Sequence, residues 1–180
     1  MRVLLLADTH GVLDPRVAEL AQDCAFAVHA GDVGASLVLD ALAKSAGHVL
    51  AVRGNNDVPA KWSGGLDDLA ALPEALSIPL PGGSLAVTHG HRQPAQQRHA
   101  RLRAANPDAR AVVYGHSHRL LQDLGEPTWV LNPGAAGRAR TFGGASCLLL
   151  EATASDWRID VCRFEVQLPK SLRRQRRSSD

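Results

Sequence analysis

Val3-Leu4-Leu5-Leu6-Ala7-Asp8-Thr9-His10-Gly11 is an aliphatic run that breaks off in a polar loop. Apolar residues at every position, with no polar alternation, predict a strand covered on both faces, as in layered α/β domains. The loop that follows carries the chemistry. Asp8 and His10, two residues apart on loop backbone, project to one side, where together they can hold an ion. A single pair of this kind is weak evidence, so the reading depends on whether the unit recurs.

Working outward, it does. Asp14-Pro15 predicts a helix start, with Val17, Ala18, Leu20, Ala21 and Cys24 at helical spacing. Phe26 to His29 predicts a second strand ending at Gly31-Asp32, Leu37 to Ala43 a second helix, and Val49 to Val52 a third strand ending at Gly54-Asn55-Asn56-Asp57. Leu76 to Leu80 and Leu85 to Thr88 flank Pro81-Gly82-Gly83 as a hairpin, and the second arm ends at His89-Gly90-His91. Pro94 to Ala105 predicts a helix with a polar Gln/Arg face. Ala111 to Tyr114 ends at Gly115-His116-Ser117-His118, and Thr128 to Leu131 at Asn132-Pro133-Gly134. Ala145 to Glu151 and Arg158 to Val166 are expected to complete a second sheet. Ligand-type residues at strand end after strand end converge in space on an α/β sheet, and Asp8, His10, Asp32, Asn55, His89, His116 and His118 are the candidates.

Composition narrows the possibilities. The 180 residues are 45% hydrophobic and 21% charged, which suits one domain with a substantial core and excludes a disordered chain. No apolar stretch approaches the ~20 residues of a membrane-spanning helix. Met1-Arg2 runs directly into the first strand, no secretion signal is read, and a cytoplasmic location is the expectation. Three cysteines, Cys24, Cys147 and Cys162, with no CxxC spacing, read as small buried hydrophobes, so a metal would use His, Asp and Asn. The net charge of +2 is carried by Lys170, Arg173, Arg174, Arg176 and Arg177; without them and Asp180 the body holds fifteen basic and seventeen acidic residues. A nucleic-acid-binding face on the body therefore has no support. Residues 1–168 are read as a single domain and residues 169–180 as a basic, disordered tail.

The ordered set Asp8-Thr9-His10, Gly31-Asp32, Gly54-Asn55-Asn56-Asp57, His89-Gly90-His91 and Gly115-His116-Ser117-His118 resembles the calcineurin-like metallophosphoesterase superfamily. Short length and Asn132-Pro133-Gly134 make the chain similar to its small bacterial and archaeal phosphodiesterase branch. The resemblance implies two facing mixed β-sheets flanked by helices, a four-layer αββα sandwich, and a two-metal site. It assigns Asp8, His10 and His118 to one metal, Asn55, His89 and His116 to the other, and Asp32 to the bridge. The implied reaction is hydrolysis of a small or exposed phosphodiester by in-line attack of a metal-bridging hydroxide. Nitrogen and oxygen donors suit two divalent ions, Mn²⁺ first, with Ni²⁺, Zn²⁺ or Fe as alternatives. Two such ions against Asp8, Asp32 and a hydroxide leave about one positive charge, which favours a phosphoester anion.

Asp32, Asn55, Asn56 and His91 are the expected catalytic residues. Asn56 departs from better-known branches, where a histidine after the metal-binding Asn acts as general acid; an amide cannot protonate a leaving group. Asp57 is expected to orient a loop or ligand. His91 is expected to orient His89 or touch substrate, or else to be a solvated loop residue. His29 and His48 read as structural histidines. Arg92, Arg138 and Arg140 lie near site loops and could clamp a phosphate, with surface solvation the simpler reading of each. The competing function is a non-catalytic scaffold for protein assembly, since a subunit of the retromer coat has a similar fold; that scaffold departs from the full ligand set, whereas this chain keeps it. Homo-oligomerisation stays open.

Overall fold

The computed structural model describes residues 1–166. The predicted domain boundary at 168 and the basic tail lie outside the described residues. Among the described residues, ten strands form two five-stranded mixed sheets. The first contains β1 (Arg2–Leu6), β2 (Phe26–His29), β3 (Val49–Ala51), β9 (Ser146–Ala152) and β10 (Trp157–Arg163), in the order β10-β9-β1-β2-β3. The second contains β4 (Ala75–Leu80), β5 (Gly83–Thr88), β6 (Ala111–Tyr114), β7 (Leu121–Asp123) and β8 (Trp129–Asn132), in the order β4-β5-β6-β8-β7.

The aliphatic run of β1 is explained by its central position. Val3 and Leu5 enter the core between the sheets with Val28, Leu85, Val87, Val113 and Leu148. Leu4 and Leu6 face the opposite way, under α1 (Pro15–Leu20) and α2 (Ser36–Ala46), against Val17, Val38 and Leu42. Each such aliphatic side chain taken from water contributes about 1.5–3 kcal/mol, so this strand anchors both layers. The outer face of the second sheet is covered by α4 (Arg98–Ala105), with Leu102 against Val112, Tyr114 and Val130. Helix, sheet, sheet, helix is the observed layering.

Several sequence expectations are corrected. The two final strands do not complete the second sheet. They extend the first, β9 pairing antiparallel with β1 (Val3 with Leu150, Leu5 with Leu148) and β10 closing the edge. Cys147 to Leu150 is as apolar as β1, and beside β1 both its faces are covered: Cys147 and Leu149 enter the helix-side core, Leu148 and Leu150 the inter-sheet core. The first helix stops at Leu20 and tightens into a 3₁₀ turn, Ala21–Asp23, and the predicted Pro94 helix opens with another, Ala95–Gln97. A short helix α3 (Leu66–Ala71) and strand β7 escaped the sequence reading; at six and three residues each is too short for a clear period. Pro79 sits in β4, an edge strand, where its missing N–H costs no ladder bond.

Strands β1, β2 and β3 are mutually parallel, as are β5, β6 and β8. Their carboxyl ends therefore open onto the loops that carry the candidate ligands. No helix among the described residues is long and apolar enough to cross a membrane.

Candidate metal centre

These loops bring the seven predicted side chains into one continuous cluster. His10 Nε2 stands 3.1 Å from His118 Nε2, which lies 3.5 Å from Asp8 Oδ1. Asp32 Oδ2 is 3.8 Å from His10 Nε2 and 3.4 Å from His89 Nε2, so one oxygen faces both halves of the site. Asn55 Oδ1 is 3.1 Å from His89 Nε2 and 3.0 Å from His116 Nδ1. Asp8, Asp32, His89 and His118 are buried.

The backbone is strained where the ligands sit. Among the described residues, seven non-glycine positions have positive φ, and five are Asp8 (55°), His10 (48°), Asp32 (55°), His116 (65°) and His118 (56°). Left-handed backbone costs an L-residue about 1–2 kcal/mol, and such strain clusters at functional sites. The folded surroundings hold it in place. Gly54 lets the loop after β3 lie directly on the Asp32 backbone and side chain, where any Cβ would collide. Asp57 ties the same loops together, accepting from Val33 N, Gly34 N and Gly54 N. Asn132 Nδ2 donates to Gly115 O (2.8 Å) and Ser117 Oγ (3.0 Å), fixing the turn that carries His116 and His118.

His29 is structural with a purpose. Fully buried, its Nε2 is 2.9 Å from Thr9 Oγ1, which itself donates to Val33 O at 2.8 Å. The hydroxyl proton is thus committed, so His29 donates through Nε2, and the pair props the loop between Asp8 and His10. Burial holds the His29 imidazole neutral, pushing its pKa down to about 3.

The electrostatics fit a cation. The cluster gathers imidazole nitrogens with carboxylate oxygens, and Asp8 Oδ2 is buried with no hydrogen-bond partner. Burial raises Asp8 to about 7. Burial also disfavours charge on Asp32 and His89, but their mutual attraction wins, holding Asp32 below the usual carboxylate range and His89 above its ordinary value. His89 donates from Nδ1 to Ala30 O at 2.9 Å, leaving Nε2 to face the centre, as metal-binding histidines do. Two groups close enough to hold an ion emerge, Asp8-His10-His118 and Asp8-Asp32-His89. The residues present fit divalent cations with nitrogen and oxygen ligands.

The chain belongs to the calcineurin-like phosphoesterase superfamily. Residues 1–155 match that superfamily's domain. Over 142 residues the chain is 23% identical to a phosphodiesterase of Methanocaldococcus jannaschii, covering 74% of this chain and 83% of that one. Among solved structures, a novel archaeal phosphodiesterase superposes with a TM-score of 0.68 at 22% identity, covering 90% of this chain and all of that one. Wild-type Vps29 of Entamoeba histolytica complexed with Zn²⁺ gives 0.71 at 18%, covering 92% and 99%.

Within this superfamily member, the other predicted residues divide. Asn56 is turned toward Asp32. Its Nδ2 and backbone N each donate to Asp32 at 2.7 Å, and its Oδ1 accepts from Lys61 Nζ at 2.6 Å. It is a positioning residue for Asp32, and Lys61, which the sequence reading passed over, fixes its amide. His91 does not orient His89; the Ala30 carbonyl does, and the His91 ring stands 5.5 Å from His89 and 6.2 Å from His116. Arg92 is solvated and pairs with Glu74. Arg140 instead reaches the centre, its Nη2 3.3 Å from His118 Nε2.

Proposed function

We propose that this superfamily member is a binuclear, metal-dependent phosphodiesterase. The observation that carries the reading is the placement of left-handed, strained backbone at five of the seven ligand positions, whose side chains gather in groups close enough to hold an ion. A fold does not hold such strain without a compensating interaction. Asp8, His10 and His118 would hold one ion, Asn55, His89 and His116 the other, and Asp32 would serve both. Mn²⁺ is the first candidate, and the Zn²⁺ complex of Vps29 makes Zn²⁺ the next. Two divalent ions held there would supply Lewis-acid polarisation of a phosphoester and would lower the pKa of water for attack on it.

The chain's own residues do the rest. Asn56, braced by Lys61, keeps Asp32 facing both halves of the site. Asp57 and Asn132 fix the loops, so the ligands need little reorganisation when they bind. Arg140, at the rim, is placed to clamp a non-bridging phosphate oxygen. The scaffold alternative draws on the likeness to Vps29, which at 18% identity shows the fold alone.

The test is to strip the protein of metal, reload it with Mn²⁺, Zn²⁺, Ni²⁺ or Mg²⁺, count bound ions, and assay matched aryl diesters and monoesters. Two equivalents with diester turnover are expected, and Asp32→Asn should lower turnover by orders of magnitude. One equivalent or fewer at saturation, or near-normal turnover by Asp32→Asn, would refute the binuclear assignment; no turnover with any metal would favour the scaffold.

A further inference from the structure

The three cysteines, scattered in sequence, converge on the helix-side core of the first sheet: Cys24 after the 3₁₀ turn, Cys147 on β9 and Cys162 on β10. Cys147 and Cys162 are direct cross-strand partners. Phe164 N donates to Ala145 O and Thr153 N to Asp156 O. Hydrogen-bonded pairs recur at every second residue of an antiparallel ladder, so Cys147 and Cys162 form one, with Cα atoms about 5.5 Å apart. Disulfides span Cα separations of about 4.4–6.8 Å. Directly opposed side chains leave the same face of a sheet, which sets these two thiols side by side. Cys24 is committed elsewhere, its Sγ donating to Leu20 O at 3.4 Å.

We propose that Cys147 and Cys162 are a redox-active dithiol that hydrogen peroxide oxidises to a cross-strand disulfide. The roles follow from exposure. Cys147 is buried, whereas Cys162 is reachable from solvent. The facing Cys147 thiol also brings the Cys162 thiol down to about 7, while Cys162 and burial push Cys147 up. The Cys162 thiolate attacks peroxide; the O–O bond breaks, a sulfenic acid forms and hydroxide departs as water. The Cys147 sulfur then attacks the Cys162 sulfur; the S–S bond forms, the S–O bond breaks, and the Cys147 proton leaves with the hydroxide as a second water. The sum is two thiols and one peroxide giving one disulfide and two waters.

The staple has a defined place. Because β9 runs antiparallel to β1, Cys147 lies at the end of the sheet where Asp8 emerges. The neighbouring Ser146 Oγ donates to Pro133 O, at the two roots of the loop that carries Arg140. Oxidation would fasten β10 to the strand on which that loop lands.

The experiment treats the metal-stripped full chain with hydrogen peroxide, then counts thiols under denaturing conditions and maps linkages by mass spectrometry. The free-thiol count should fall from three to one, with a loss of two hydrogens and a peptide joining Cys147 to Cys162, reversed by dithiothreitol. Cys24→Ala should oxidise identically, and Cys147→Ala should leave a dimedone-reactive sulfenic acid on Cys162. Persistence of all three thiols under peroxide that oxidises glutathione in the same tube would overturn the proposal. So would a bridge through Cys24 or between chains.

Discussion

Replacing Asp57 tests whether the candidate metal centre is built by its supporting loops. The side chain is buried, and its carboxylate accepts from Val33 N at 3.1 Å and Gly54 N at 2.8 Å on one oxygen, and from Gly34 N at 2.8 Å on the other. Those amides belong to the loops bearing Asp32 and Asn55. Asp57→Asn keeps the shape but turns one oxygen into a donor. In the better orientation the amide oxygen keeps Val33 and Gly54, and the new NH₂ confronts the Gly34 N–H. One unsatisfied buried amide costs about 1–3 kcal/mol, and two bonds lose their charge assistance at ~1 kcal/mol each. Relief from burying a charge offsets part of this, leaving a destabilisation of ~2–4 kcal/mol. Asp57→Ala orphans all three donors and should cost ~3–6 kcal/mol, a large share of the ~5–15 kcal/mol that holds a domain folded. Urea unfolding of the metal-stripped proteins measures the difference. A value for Asp57→Asn within ~0.5 kcal/mol of the parent, the range of an ordinary surface change, would refute the argument.

Asn56→Ala should weaken metal affinity by ~10–100-fold by releasing Asp32, yet leave the dependence of rate on leaving-group pKa unchanged across a series of diesters; a changed slope would mean that Asn56 acts on the leaving group. His29 binds its proton in the unfolded chain near pH 6.5 but in the folded one only near 3. Its contribution to stability is therefore complete above pH 6.5 and falls by about 1.4 kcal/mol per pH unit below it. His29→Gln should remove one proton's worth of that slope in a pH series of urea midpoints, and an unaltered slope would refute the assignment. Arg140→Ala should raise KM for a small diester by about tenfold, the equivalent of one charge-assisted hydrogen bond, with metal content constant; an unchanged KM would place Arg140 outside the binding event.

The candidate ligands were legible because the parallel strands within each sheet deliver their carboxyl ends to one edge, so a polar residue after each apolar run has a predictable place. Roles within the cluster were less legible. Asn56 could be read as the place of an absent acid, but its turn toward Asp32 is made by hydrogen bonds to a loop 24 residues away in the chain. His91 and His89 look paired in sequence; the choice of Ala30 O as the partner of His89 comes from another strand. Arg140 stands among three similar arginines, and only the folded loop separates it from the solvated Arg92.

By itself, the sequence determined the alternation of buried strands and ligand-bearing loops, because hydrophobic period and loop chemistry are local properties. It determined that β1 and β9 must be covered on both faces, since neither alternates. Tertiary structure decided which strands meet. A pattern of apolar residues states that a strand needs cover without naming the neighbour, and so β9 and β10 were expected in the wrong sheet. The same register placed Cys147 opposite Cys162 and turned three unremarkable cysteines into a pair and a bystander. Distances across a ladder depend on alignment between strands far apart in the chain, and alignment is fixed only when the whole core packs.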